Sequence, residues 1–114
     1  MTRTFVMLPT FDKNWAQMGL NDNDLRRLQE ELLLEPNKGD LMQGTGGLRK
    51  LRFAFEGKGK SGSTRVCYVD FVVYETIYLI TAYPKSEKDN LSKNERNSIA
   101  KLIKALESSL SDKE

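Results

Sequence analysis

Apolar residues recur along this chain in two rhythms, and the rhythms divide it into elements. Thr4–Leu8 is a short apolar run stopped by Pro9, which predicts a first strand. Thr10 is placed to cap a helix from Phe11, with Trp15 and Met18 following at i+4 and i+7 and Gly19 ending it. Asn21 caps a second helix, with Asp22 and Asp24 in its positive first turn and Leu25, Leu28, Leu32 and Leu33 as its stripe. Pro36, Asn37 and Gly39 stop that helix. The rhythm then changes to two. In Leu48–Phe55, Leu51, Phe53 and Phe55 fall on one face and Lys50, Arg52 and Ala54 on the other, so one face packs on helices and the opposite one is basic.

Glu56–Ser63 is a glycine-rich connection, and Thr64–Val73 is a strand apolar on both faces, hence central in its sheet. A tight turn at Tyr74-Glu75 leads into Thr76–Tyr83, which Pro84 ends. Lys85–Asn90 is charged loop. Ser92 and Glu95 form a capping box, and Ile99, Leu102, Ile103, Leu106 and Leu110 stripe a last helix expected to fray from Ser108. The order β-α-α-β-β-β-α predicts an α+β fold: a small antiparallel sheet with helices packed mainly on one face. A chain of 114 residues without repeats or linkers reads as one domain, 1–114.

Composition narrows the chemistry. The chain has no histidine and one cysteine, Cys67, in an apolar strand where it reads as a core residue. That excludes an internal disulfide, fits a reducing cytosol, and removes the usual ligands of zinc, copper and haem as well as the usual general base. We expect no cofactor and no metal. No apolar run approaches the length of a membrane helix, and Pro9, Asp12 and Lys13 break any leader-like start.

Charge is concentrated. From Arg49 to Arg65 there are six basic residues, Arg49, Lys50, Arg52, Lys58, Lys60 and Arg65, against Glu56 alone. That window carries +5 in a chain whose total is +2. A basic strand, a basic glycine loop and an arginine opening the next strand suit a polyanion, because neutralising phosphates releases counterions. Gly44, Gly46 and Gly47 lie in the wrong spacing for a phosphate-binding loop and read as a flexible lead into the strand.

Three strings carry a resemblance: Gly44-Thr-Gly-Gly-Leu-Arg-Lys-Leu-Arg52, Gly57-Lys-Gly-Lys-Ser-Gly-Ser-Thr-Arg-Val-Cys-Tyr68 and Leu79-Ile-Thr-Ala-Tyr-Pro-Lys-Ser-Glu-Lys-Asp-Asn-Leu-Ser92. In order and spacing, from about Leu20 to Leu106, the chain resembles the HigB branch of the RelE toxin superfamily. The resemblance implies the toxin of a bacterial toxin–antitoxin pair. Such toxins are cytoplasmic, enter the ribosomal A site and cleave the mRNA there. They are held inactive by a cognate antitoxin, often a helix-turn-helix protein, and reach operator DNA only through that complex.

RNA cleavage without metal needs a base for the 2′-OH, cations on the phosphoryl oxygens and an acid for the 5′-oxygen. Arginine stays charged and can clamp two phosphate oxygens, and a lysine among cations can act as base or acid. Arg65 matches the family's active-site arginine, and Lys50 and Arg52 match its basic strand pair, with Lys50 the candidate base. Lys85 matches a basic position of the wider family. Some relatives carry a tyrosine near the chain end; here no aromatic follows Tyr83, so either Tyr83 takes that place, stacking a base, or activation works differently. Arg49, Lys58, Lys60 and Lys88 are candidate contacts to RNA or ribosome. The alternatives are a non-enzymatic, ParE-like gyrase inhibitor and a plain nucleic-acid-binding module.

Overall fold

The structure is a computed structural model; it describes residues 2–57, 60–88 and 90–113, without the side chains of residues 56, 57, 60 and 61. The elements are β1 (Thr4–Met7), α1 (Pro9–Gln17), α2 (Asp22–Leu34), β2 (Asp40–Leu41), β3 (Arg49–Gly57), β4 (Lys60–Phe71), β5 (Thr76–Pro84) and α3 (Lys93–Asp112). They form one five-stranded sheet in the order β1-β5-β4-β3-β2. β4 is central, as its two apolar faces require. The α+β class and the order of helices hold. The alternation expected in β3 also holds: Leu51 and Phe53 are buried, and Arg52 is exposed.

Several details depart from the pattern. Thr10 caps nothing: α1 begins at Pro9, with Leu8 at the N-cap and no side-chain cap bond. Proline suits the first helical position, where its missing N–H has no partner to lose. The sheet is mixed, because β1 runs parallel to β5, from Thr4 beside Thr76 to Met7 beside Leu79. The antiparallel expectation came from hairpins, and β1 has no hairpin partner; its neighbour is set by long-range pairing. A two-residue strand, β2, is added at the β3 edge. Finally, α3 continues to Asp112, past Ser108, with Leu110 packed on the core.

The core has two layers. On one face α1 and α2 bring Phe11, Trp15, Leu28 and Leu32 against Leu51, Phe53, Val66, Tyr68, Ile77 and Leu79. On the other face α3 brings Ile103 against Leu48, Cys67, Val69, Tyr78 and Ile80. Two of three helices thus share a face, and the third covers the opposite one. Alternate residues of β4 enter alternate layers, as strand geometry dictates.

Local chemistry fixes the ends. Asn21 accepts from Asp24 N at 3.0 Å and Asp24 accepts from Asn21 N at 2.9 Å, a capping box for α2. Tyr68 donates to Pro36 O at 2.7 Å and accepts from Gly39 N at 3.0 Å, pinning the loop after α2 to the central strand. A Cβ at Gly39 would meet Tyr68 Cε1 at 2.9 Å, so only glycine fits that approach.

Arg3 precedes β1 and grips Asp70 at the end of β4 through two bonds, Nε to Oδ1 at 2.8 Å and Nη2 to Oδ2 at 3.1 Å. The two side chains are 7% and 9% exposed, yet the pair lies at shallow depth, one layer beneath the surface. The paired geometry sets the edge strand against the sheet centre. Asp70→Ala leaves Arg3 covered and uncompensated, and should lower the unfolding free energy by about 2 kcal/mol, the shallow site favouring the lower part of the usual range. A urea midpoint measured beside that of the parent protein checks it.

Candidate functional site

The register of the three long strands builds the site. Arg52 in β3 pairs with Arg65 in β4, and Arg65 pairs with Tyr83 in β5. Cross-strand partners share a face, so these three side chains form one row across the sheet, on the α3 side. One step along, Lys50 pairs with Cys67 and Cys67 with Thr81. A bulge lies at this point, where β5 gives two residues, Ile80 and Thr81, to the step between Cys67 and Tyr68.

The connection from β5 to α3 folds back over this face. Lys50 Nζ donates to Asn90 Oδ1. Lys88 Nζ lies 5.0 Å from the centre of the Tyr83 ring and 2.6 Å from Glu95 Oε2. Glu95 is also the third residue of α3: its Oε1 accepts from Ser92 N at 2.9 Å, while Ser92 Oγ accepts from Glu95 N at 3.1 Å. The cap that starts the helix therefore also fixes Lys88.

Beneath the cations the floor is buried. Cys67 is fully buried and Tyr83 is 4% exposed. The Tyr83 hydroxyl rests against the Cys67 thiol, a weak partner, and makes no bond of ordinary geometry among the described residues. Burial pushes the Cys67 thiol up to about 11, with Tyr83 and the charges of Lys50 and Lys88 pulling the other way. Burial also pushes the Tyr83 hydroxyl up, with Cys67 adding to the rise and Arg65 opposing it. These neighbours place Lys50, Lys88 and Arg65 around one small volume.

Of the residues singled out in the sequence, Lys50, Arg52, Arg65, Tyr83 and Lys88 come together. Tyr83 does so as floor, its ring 4% exposed with Lys88 Nζ above it. Lys85 is exposed just past the end of β5, beside Phe55, Gly62, Ser63 and Pro84, at the margin of the row. Arg49 points away from the row, since its partner is Tyr68 of the opposite layer, and its guanidinium binds Gly39 O at 2.7 Å and Asn37 O at 3.2 Å. Lys58 lies outside the described residues, as does the side chain of Lys60. Asn90 and Glu95 were missed as site residues. The Ser92/Glu95 capping box was legible, but only its helical role could be read without knowing that Lys88 lies above it.

The chain is thus a small α+β domain with cations rowed across one face of its sheet. Residues 3–114 match the model of the RelE toxin of the RelE/RelB toxin–antitoxin system, and the chain belongs to the RelE toxin family. Among solved structures, it is similar to a double arginine-to-alanine mutant of E. coli toxin RelE in the free state, at 14% identity and a TM-score of 0.53, covering 78% of this chain and 90% of that one. That likeness shows the fold. It is also similar to the RelE–RelB complex from Pyrococcus horikoshii OT3, at 23% identity and a TM-score of 0.49, over 77% of this chain and 100% of that one. No helix among the described residues is long and apolar enough to cross a membrane.

Two outcomes test the site's electrostatics. With its thiol near 11 instead of 9.0, Cys67 holds about a hundredfold less thiolate. Iodoacetamide at pH 8 should therefore label it slowly in the native protein and rapidly in urea, as mass spectrometry would read. Glu95 is held below its ordinary value of 4.5, first by the Lys88 ammonium and then by Ser92 N–H. A lowered folded value stabilises above the ordinary one and is lost as pH falls through it. The urea midpoints of the parent and Glu95→Gln should differ at neutral pH and converge in acid.

Proposed function

We propose that this RelE-family toxin is a ribosome-dependent mRNA endoribonuclease of the HigB branch, cutting in the A site by metal-independent attack of the 2′-OH. The observation that carries this reading is the row of Arg52 and Arg65 with Lys50 and Lys88 close by, over Cys67. The row supplies, without histidine, each function that the cleavage needs.

Lys50, on β3 and held by the neutral Asn90 amide, takes the proton of the 2′-OH. The 2′-oxygen then attacks the adjacent phosphorus. Arg65 and Arg52 bind the phosphoryl oxygens, whose charge grows in the phosphorane, and fixed guanidinium groups on a strand meet that charge without rearranging. Lys88, on the β5 side and held as an ion pair with Glu95, gives a proton to the departing 5′-oxygen. The products are a 2′,3′-cyclic phosphate and a free 5′-OH. Lys85 and the basic β3–β4 connection, with Lys58 and Lys60, extend the contact to RNA backbone or ribosome.

The remaining features of this reading follow the family. The toxin is cytoplasmic and is held inactive by a cognate helix-turn-helix antitoxin. Operator DNA is met only through that complex.

Arg65→Ala tests the reading. Induced in cells, it should abolish growth arrest and lower the yield of mapped mRNA cuts by about a hundredfold or more, the scale of losing one transition-state donor. Co-purification with the antitoxin should survive. Arrest that persists with intact mRNA would mean a non-enzymatic toxin, such as a gyrase inhibitor.

A further inference from the structure

The row does not stop at Tyr83. β1 leaves β5 at Leu79, so from Ile80 to Pro84 the outer side of β5 has no strand beside it among the described residues. The C-terminal part of α1 lies there instead, and between them is a cleft of about 210 Å³. Its walls include Asn14, Gln17 and Met18 from α1 and its end, and Tyr83, Glu87 and Lys88 from the other side. Tyr83 and Lys88 belong to both the cleft and the cationic row. Adjacent strands are about 4.8 Å apart, so the cleft opens roughly one strand spacing beyond Arg65. A nucleotide whose phosphate rests on Arg65 can reach it with a base.

From this juxtaposition we infer that the cleft receives one nucleobase of the message beside the cut, read along its hydrogen-bonding edge by the Asn14 and Gln17 amides. The inference rests on the ribonuclease reading above. Size, chemistry and charge each support it. The volume is below the roughly 300–1,000 Å³ of sites for larger organic ligands, which suits one flat ring. A side-chain amide presents a donor beside an acceptor, the pattern that base edges match two bonds at a time. The Asn14 amide is already oriented, since its Nδ2 donates to Thr81 Oγ1 at 3.3 Å, and its carbonyl oxygen makes no bond among the described residues. Met18, whose sulfur accepts from Thr64 Oγ1 at 3.2 Å, gives a polarisable wall against the ring. Glu87 on the rim disfavours a second phosphate, so the cleft is a base site and the row is the phosphate site.

The experiment maps mRNA 5′ ends across the transcriptome after brief induction of the full-length toxin, parent and variants. Gln17→Ala and, separately, Asn14→Ala should flatten the base preference at the position flanking the cut by about fivefold or more, the low end for one lost base contact. Arg52→Ala is the contrast, because a lost phosphate contact lowers all cuts evenly across sequences. Asn14 is half-buried and its variant also loses the bond to Thr81; Gln17 is exposed, so its variant keeps the fold and decides the matter. Cuts by the parent with the same base preference in both variants would overturn the cleft alone. No cuts by the parent would overturn the ribonuclease reading and the cleft together.

Discussion

Four consecutive residues of β4, Val66, Cys67, Tyr68 and Val69, are each 2% exposed or less. A strand buried on both faces must be covered on both faces, and the rest of the molecule answers that demand. The α1–α2 hairpin closes one side and α3 the other. Each large apolar side chain so buried contributes about 1.5–3 kcal/mol. Arg65 is the residue just before this buried segment. It is anchored at the start of this buried segment while it stays half-exposed itself.

The cationic row gains from what lies under it. Cys67 and Tyr83 form an apolar floor with little power to solvate charge, so the field of Lys50, Arg65 and Lys88 is poorly screened from below. The strands keep the like charges at fixed separations, and the β5–α3 connection offsets them with one amide, Asn90, and one carboxylate, Glu95. Lys50 is bonded to a neutral amide and Lys88 to a carboxylate.

The fold was legible where its causes are local. The capping boxes at Asn21 and Ser92, the alternation through β3 and the double-sided apolarity of β4 are each encoded within a few residues. Legibility failed where the cause is distant. β1 pairs with β5 across most of the chain, and no property of Thr4–Met7 names that partner or its direction. Pro9 was read as a strand stop, when it is also the first residue of a helix; both roles follow from its fixed φ and missing N–H. The Arg3–Asp70 pair spans 67 positions, and nothing near Arg3 announces it.

For the site, the sequence by itself determined the inventory: cations concentrated between Arg49 and Arg65, no imidazole, and strings that resemble one toxin branch. It also determined that Lys50 and Arg52 share a face, because side-chain direction alternates along any strand. Only the tertiary structure decided which cations meet. Register set Arg52 beside Arg65 and Arg65 beside Tyr83, turned Arg49 to the opposite layer, and brought Asn90 and Glu95 onto the row from a later loop and helix. Pairing between strands depends on contacts summed over the whole sheet, and a one-residue slip would reverse every one of those placements. The composition of the site is therefore a local property of the chain, and its geometry is a property of the packed fold.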